Sequence, residues 1–260
     1  MSILKVDNLT KFFGGLAAVY ELSFSVEARE ILGLIGPNGA GKTTVFNLIT
    51  GVFAPSRGRV VFADEEITGQ RPYEINRKGI ARIFQATRHF ANFTVRDNLE
   101  TGRHCRTRSG LWSALFHTQL ARREQREGEE RAEEIMEFLN LAGYRDELAK
   151  NIPQAMQRRL DIGIALATEP VLLLLDEPAA GMNPEETYQL MEVIRRIQER
   201  EISVFLIEHD MQMIMDICGR IVVLNYGKKI AEGAPESIQN DPRVIEAYLG
   251  SEDFNRVRIT

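Results

Sequence analysis

Gly36-Pro-Asn-Gly-Ala-Gly-Lys-Thr43 follows directly on the apolar run Ile31-Leu-Gly-Leu-Ile35 and leads into Thr44-Val-Phe-Asn-Leu-Ile-Thr50. These residues satisfy G-x-x-x-x-G-K-[ST], and a strand-like run before with a helix-like run after is the context that pattern requires. Glycines let the backbone wrap a pyrophosphate with its N–H groups turned inward, where a Cβ would obstruct the approach. The start of the following helix adds its partial positive charge to that nest. Lys42 can then reach the β and γ phosphates, and the Thr43 hydroxyl can hold Mg2+. The bland alternative is a glycine-rich turn with an incidental lysine. Four fixed residue types with correct flanks weigh against it, and the stretch predicts nucleoside triphosphate binding.

A second group of chemistry-bearing residues sits far along the chain. Val171-Leu-Leu-Leu-Leu175 is the most hydrophobic run, and its length and its entry from Pro170 favour a central strand over a helix. Asp176-Glu177 follows it at once, which puts two carboxylates at the C-terminal edge of a strand, where open α/β sheets bind ligands. Asp176 can hold the Mg2+ that bridges phosphates, while Glu177 can orient and polarise the attacking water. An acidic strand end is otherwise a solvated one, but a phosphate loop on a neighbouring strand changes that balance. Gln85 and His209 end the runs Ile80 to Phe84 and Ser203 to Ile207. Both would project toward the same sheet edge, the glutamine toward Mg2+ or water and the histidine toward the γ-phosphate. Phe12 and Phe13 precede Gly14-Gly15; one could stack on an adenine face, or both could anchor the turn. His89, His104 and His117 lack partner spacing and read as surface residues.

Around these motifs the pattern is that of an α/β protein. Ile3 to Leu9 alternates loosely, Ala17 to Val26 alternates strictly with Val19, Leu22, Phe24 and Val26 apolar, and Arg59-Val-Val-Phe62 is a further short strand. Strand signals vanish between 88 and 156. Thr94 reads as a helix cap, and Ala132, Ile135, Met136 and Leu139 mark an amphipathic helix. The basic cluster Arg103, Arg106, Arg108 and the run from Arg122 could suggest nucleic acid, but interleaved acids make a solvated face the better reading. Gln157 to Thr168 is helical, Asn183-Pro-Glu-Glu186 is a capped helix start, Asp210 caps another helix, and Ile221 to Leu224 is a last strand. Strands alternating with helices imply a mainly parallel sheet.

The bulk numbers agree. The 260 residues suffice for one large α/β domain or two small ones, and 44% hydrophobic with 27% charged content is ordinary for a globular protein. Lys plus Arg total 32 against 37 acids, a formal charge of −5, which disfavours a general nucleic-acid binder. Cys105 and Cys218 have neither metal-ligand spacing nor reason to pair, which fits a reducing cytosol. No run approaches the ~20 apolar residues of a membrane-spanning helix, and the first residues lack a signal-peptide layout.

With these residues together, the chain resembles an ATP-binding cassette (ABC) ATPase over essentially residues 1 to 250. The motifs stand in family order: aromatic loop at Phe13, Walker A at 36–43, Q-loop at Gln85, a helical subdomain, Walker B ending Asp176-Glu177, a D-loop near Ala180 to Asn183, and switch histidine His209. Lys11-Phe-Phe-Gly-Gly-Leu16, Glu177-Pro-Ala-Ala-Gly-Met-Asn-Pro184, Ile207-Glu-His-Asp-Met211 and Val244 to Gly250 are similar to the ATP-binding subunits of branched-chain amino-acid importers. Lipopolysaccharide-export and urea- or amide-import ATPases are close relatives of that type. The resemblance implies a P-loop NTPase fold with a mainly parallel core sheet, an N-terminal antiparallel β-subdomain and an inserted helical subdomain. The expectation is one domain over 1–260, with the core and β-subdomain at 1–87 and 157–250, the helical subdomain at about 88–156 and a frayed tail at 251–260.

It further implies that Phe13, Gly36, Asn38, Gly39, Ala40, Gly41, Lys42, Thr43 and Thr44 bind ATP. Thr43, Gln85 and Asp176 would hold Mg2+, and Glu177, His209 and Gln85 would serve hydrolysis. The partners so implied are a second ATP-binding subunit, by preference a paralogue, two transmembrane permease subunits and, indirectly, an extracytoplasmic substrate-binding protein, with no nucleic acid. The place implied is cytoplasmic, peripheral on the inner face of the plasma membrane. Soluble ABC proteins acting on DNA or ribosomes are a different class; the chain lacks the long heptad insert of the former and the second cassette typical of the latter. One departure stands out. The signature Leu-Ser-Gly-Gly-Gln should fall before Gln157-Arg-Arg-Leu, yet the register gives Ile152-Pro-Gln-Ala-Met156. Pro153 lacks the serine hydroxyl, Ala155 puts a methyl where glycine allows close approach, and Met156 replaces a polar glutamine; Gln154 and Gln157 complete the segment. This is either tolerated drift or a source of asymmetry between two composite sites.

Overall fold

The computed structural model describes residues 1–83, 89–103 and 119–249. The chain divides into two compact units, Met1–Ile75 with Val171–Thr260, and Asn76–Pro170.

In the first unit β1 (Ser2–Phe13) and β2 (Leu16–Glu27) form a long antiparallel hairpin, followed by β3 (Ile31–Ile35) and α1 (Lys42–Ile49). β4 (Arg57–Phe62) and β5 (Glu65–Glu66) complete a four-stranded antiparallel sheet ordered β2-β1-β4-β5. The strict alternation expected through β2 is interrupted. Val19 and Leu22 both face the core although three residues apart, because Glu21 takes φ 48° and forms a bulge. Leu9 pairs with Leu22 but Lys11 with Val19, so β2 spends one extra residue there. The Thr10 hydroxyl accepts the Glu21 N–H at 3.0 Å, a donor the ladder would otherwise leave open. A similar insertion at Asn8, φ 49°, bends β1.

Pro72–Lys78 forms α2, which carries the chain toward the second unit, where Ile80–Ile83 is β6. Within that unit α3 (Val95–Gly102), α4 (Gln119–Phe138) and α5 (Gln154–Leu166) pack together. Thr94 caps α3 as expected, and Asp97 returns the bond to make a capping box. Ala132, Ile135, Met136 and Leu139 are all buried, as their spacing predicts. A Cβ added at Gly163 of α5 would stand 2.6 Å from Leu99 and 3.0 Å from Leu139, which measures how closely these helices approach. Asn98, fully buried, donates from Nδ2 to the Phe90, Phe93 and Thr94 carbonyls and accepts the Phe90 N–H, so one side chain shapes residues 90–94. The surface reading of His89 is overturned. Its ring is 4% exposed and its Nδ1 lies 2.9 Å from Asp161 Oδ1, itself 6% exposed. The carboxylate satisfies the ring, so burial is tolerated without the metal-type spacing the sequence lacked. His104 and His117, with Arg106, Arg108 and Cys105, lie outside the described residues. Arg103 is spent on Glu127, with bonds to its carbonyl at 2.8 Å and its carboxylate at 3.0 Å.

The chain then returns to the first unit with β7 (Leu172–Asp176), α6 (Pro184–Glu199), β8 (Ser203–Ile207), α7 (Met211–Ile217), β9 (Arg220–Asn225) and β10 (Lys228–Gly233). Two short helices follow, α8 (Pro235–Gln239) and α9 (Pro242–Leu249). The strands of this unit stand in the order β10-β9-β3-β8-β7, all parallel except the terminal β9–β10 hairpin. β3, β7 and β8 are buried at every position, as their continuous apolar runs predict for strands covered on both faces. Phe205 of β8 joins α1 and β2 in this core, its ring 4.9 Å from Phe46 of α1 and 5.3 Å from Phe24 of β2. Each such ring stabilises the unit by roughly 1.5–3 kcal/mol on burial. Among the described residues no helix is long and apolar enough to cross a membrane.

Candidate functional site

β3 delivers the glycine loop from the middle of the sheet, between β8 and β9. Gly36 leaves the strand with φ 151°, and a Cβ there would stand 2.1 Å from the Leu224 carbonyl oxygen. Gly41 caps α1 with φ 104°, and its Cβ would meet the Ala18 oxygen at 2.4 Å. Only glycine fits both places, for conformation and for space. α1 has no side-chain cap and no acidic residue in its first turn, so its leading N–H groups are directed at whatever the loop encloses. Lys42 folds back over the loop, its Nζ donating to Gly36 O at 2.6 Å and Pro37 O at 3.2 Å. Asn38, Gly39 and Thr43 are exposed on the loop, and Ala40 is buried beneath it.

The loop opens on a cleft of about 480 Å³ whose far wall carries Glu177 and His209. Thr44 belongs to the lining too. Asp176 is buried at the end of β7, in register with Ile207 of β8. One residue on, Glu177 takes φ 51° while its N–H donates to Ile207 O at 2.9 Å. His209 Nε2 lies 2.7 Å from Glu177 Oε1, with the two side chains 33% and 18% exposed. Helix dipole, ammonium and backbone donors thus gather on one side of the cleft, and a carboxylate–imidazole pair on the other. The cleft leaves room for a triphosphate: Asn38 and Gly39 are exposed on it, and Gly39 has nothing within 4 Å of where a Cβ would be. Thr43 carries a hydroxyl and Asp176 a carboxylate, oxygen donors of the kind Mg2+ takes.

The remaining expected residues lie elsewhere. Phe13 ends β1, 44% exposed, its ring edge-on to Phe53 at 5.4 Å with the Lys11 ammonium 5.2 Å from its centroid. In this arrangement it anchors the turn. Gln85 lies outside the described residues. In the second unit Pro153 is the N-cap of α5, with no side-chain cap bond, and Gln154, Ala155, Met156 and Gln157 form its first turn. The helix therefore starts three residues earlier than its apolar pattern suggests, and Gln157 donates to Ile152 O at 3.0 Å.

Three contributors escaped the sequence reading. Ala18 meets the loop through its backbone, which no side-chain pattern reveals. Gly227, in the β9–β10 turn, donates to Ala40 O at 2.9 Å and accepts the Tyr20 N–H at 2.8 Å. The Tyr226-Gly227 turn itself, φ 46° and 76°, was the available signal. Glu208 accepts the Ala179 N–H at 2.7 Å; its place directly after an apolar strand and beside His209 was the hint.

The family model for the ABC transporter matches residues 19–180, and that for the branched-chain amino acid ATP-binding cassette transporter matches residues 228–253. The chain belongs to the ABC transporter ATP-binding family: it is a P-loop ATPase with a mixed core sheet and an antiparallel sheet. It is 43% identical over 249 residues, 95% of this chain and 98% of the relative, to the high-affinity branched-chain amino acid transport ATP-binding protein BraF of Pseudomonas aeruginosa. The same identity and coverage hold for the protein LivG of Escherichia coli. Among solved structures, a nucleotide-free ATP-binding cassette from an ABC transporter superposes with TM-score 0.84 at 32% identity, covering 95% of this chain and 99% of that one. A solved ADP conformation of an ATP-binding cassette of an ABC transporter gives 0.83 at 32% identity, covering 96% and 100%.

Proposed function

We propose that this ATPase is the nucleotide-binding subunit of an importer for branched-chain amino acids, driven by ATP-dependent closure of two such subunits. The Glu177–His209 pair facing the Lys42 loop across one cleft carries the hydrolytic part of the reading. In it, the loop's N–H groups and Lys42 hold the phosphates, Glu177 orients and deprotonates the attacking water, and His209 bonds the γ-phosphate while steadying Glu177. Thr43, Asp176 and Gln85 would hold Mg2+, which when bound would supply charge neutralisation at the phosphates. Phe13 would meet the adenine. The names of the 43% identical relatives support the substrate class. The partners in this reading are a paralogous ATPase, two permease subunits and, through them, a substrate-binding protein. The chain would be peripheral on the cytoplasmic face of the membrane, as one cassette with a helical insert.

In the same reading the segment Pro153 to Gln157 faces the ATP of the partner ATPase. The missing serine and glycine make that composite site the weaker of the two, though the uncapped start of α5 still offers backbone donors. Unequal losses of transport after replacing the catalytic glutamate in each ATPase would bear this out, and equal losses would refute it.

Glu177→Gln tests the whole. ATP binding should survive while turnover falls by about 10²–10⁴-fold, the range general-base catalysis supplies. Trapped with ATP in native membranes, that variant should bring down two permease subunits and a second, different ATPase. Undiminished turnover would remove Glu177 from the chemistry. Recovery of ribosomal or DNA-repair proteins without membrane proteins would overturn the transport assignment.

A further inference from the structure

Glu208 separates the end of β8 from His209 and is 5% exposed. Its Oε1 accepts the Ala179 N–H at 2.7 Å, and its Oε2 accepts the His209 N–H at 3.0 Å. The Asp210 N–H adds a third backbone bond. Burial pushes this carboxyl up, the three backbone donors pull it down, and nearby Glu177 pushes it up again. A buried carboxylate is a costly side chain to keep where an apolar one would pack.

Its position explains what the carboxylate does. β7 and β8 run parallel, and their ladder ends with Glu177 N–H donating to Ile207 O. Beyond that rung the two strands give way to two loops, one bearing Glu177 and Ala179, the other His209. Glu208 bridges those loops with its side chain, one oxygen on each, so the pairing continues past the end of the sheet. Glu177 holds a left-handed φ of 51°, which a glutamate adopts only under constraint. The Ile207 rung fixes its backbone from one side and the Ala179 tether, two residues on, from the other. Because every named partner of Glu208 is a backbone N–H, the task needs two oxygens that only accept. A carboxylate supplies them; a carboxamide would turn its own N–H2 against a donor.

We infer that Glu208 is the positioning residue of the Glu177–His209 pair, holding the two loops at the spacing that puts Nε2 2.7 Å from Oε1. The inference rests on the catalytic reading of that pair given above.

The test uses the full chain with Glu208→Gln, His209→Ala and the double variant, measuring kcat and KM for ATP, ATP affinity, and amide hydrogen exchange at Ala179. For Glu208→Gln, kcat should fall at least about tenfold with KM and affinity within about twofold, and Ala179 should exchange faster. In the His209→Ala background the same change should cost less than about twofold, because residues acting as a unit are not additive. Turnover of Glu208→Gln within about twofold of the parent, or an equal loss in both backgrounds, would overturn the inference alone. Undiminished turnover of His209→Ala by itself would overturn the catalytic reading of the pair, and this inference with it. Should Glu208→Gln not fold, Glu208→Asp decides, since it keeps both oxygens but is a methylene too short to span the loops: a fall in kcat of at least about tenfold with KM within about twofold supports the inference, and turnover within about twofold of the parent overturns it. If neither folds, the carboxylate holds the fold and not the pair, and the inference fails.

Discussion

Gly36 and Gly39 belong to one motif but answer to different physics. At Gly36 a side chain would collide with a backbone carbonyl of β9, which cannot move without disturbing the sheet. At Gly39, φ 79°, the space is open and only the conformation is unfavourable. Gly36→Ala should therefore cost about 2–3 kcal/mol or more in chemical denaturation, and Gly39→Ala about 1 kcal/mol. Equal costs would mean that the close approach to Leu224 is not real. The glycine-lysine motif was legible from its fixed spacing and its flanks, and the two carboxylates and His209 only as polar residues closing apolar runs in the company of that motif. His89 and Glu208 were not. Their burial depends on Asp161 and on the Ala179 backbone, partners that no local pattern announces. Cys218 is a simpler case, a buried free thiol pushed up to about 12 by burial and then by Glu30, and so inert at neutral pH.

Helix starts with a side-chain cap were the most readable elements. Thr94, Asn183 and Asp210 each accept a backbone N–H three residues on, and Asn183 with Glu186 closes a full capping box behind Pro184. Their signal is local, so it survives without tertiary knowledge. Asn183→Ala should lower stability by about 1 kcal/mol, seen as a shifted denaturation midpoint with an unchanged slope. No change would mean that solvent replaces the cap at no cost. The bulges at Asn8 and Glu21 defeated a period-two reading because one inserted residue reverses every face beyond it. β10 was missed for a different reason. Of Lys228–Gly233 only Ala231 is buried, so the strand has no hydrophobic rhythm and exists through its pairing with β9.

For the molecule as a whole, the α/β class followed from the alternation of strands and helices, but the strand order did not. β3 lies between β8 and β9, partners about 170 and 190 residues further along, and nothing in the intervening chain encodes that adjacency. Ligand linkage reads out the assembled first unit. At a hundred times its dissociation constant, ATP with Mg2+ should stabilise the chain by about 2.7 kcal/mol, a rise in Tm of several degrees for a domain this size. AMP, lacking the phosphates that the loop encloses, should give much less at equal concentration. Equal shifts for the two would place the recognition at the base instead of at the loop.

Gly36 is backed by Leu224, and Ala40 is tied to Gly227, which in turn holds Tyr20. During synthesis the phosphate loop thus emerges long before the segment that seats it. A ribosome-bound chain that has released only its first two hundred residues carries the complete motif with neither β8 nor β9 to hold it. Nucleotide capture is for that reason expected late in the life of a nascent chain, and a chain stopped short of the final hairpin should show no ATP binding in an equilibrium titration.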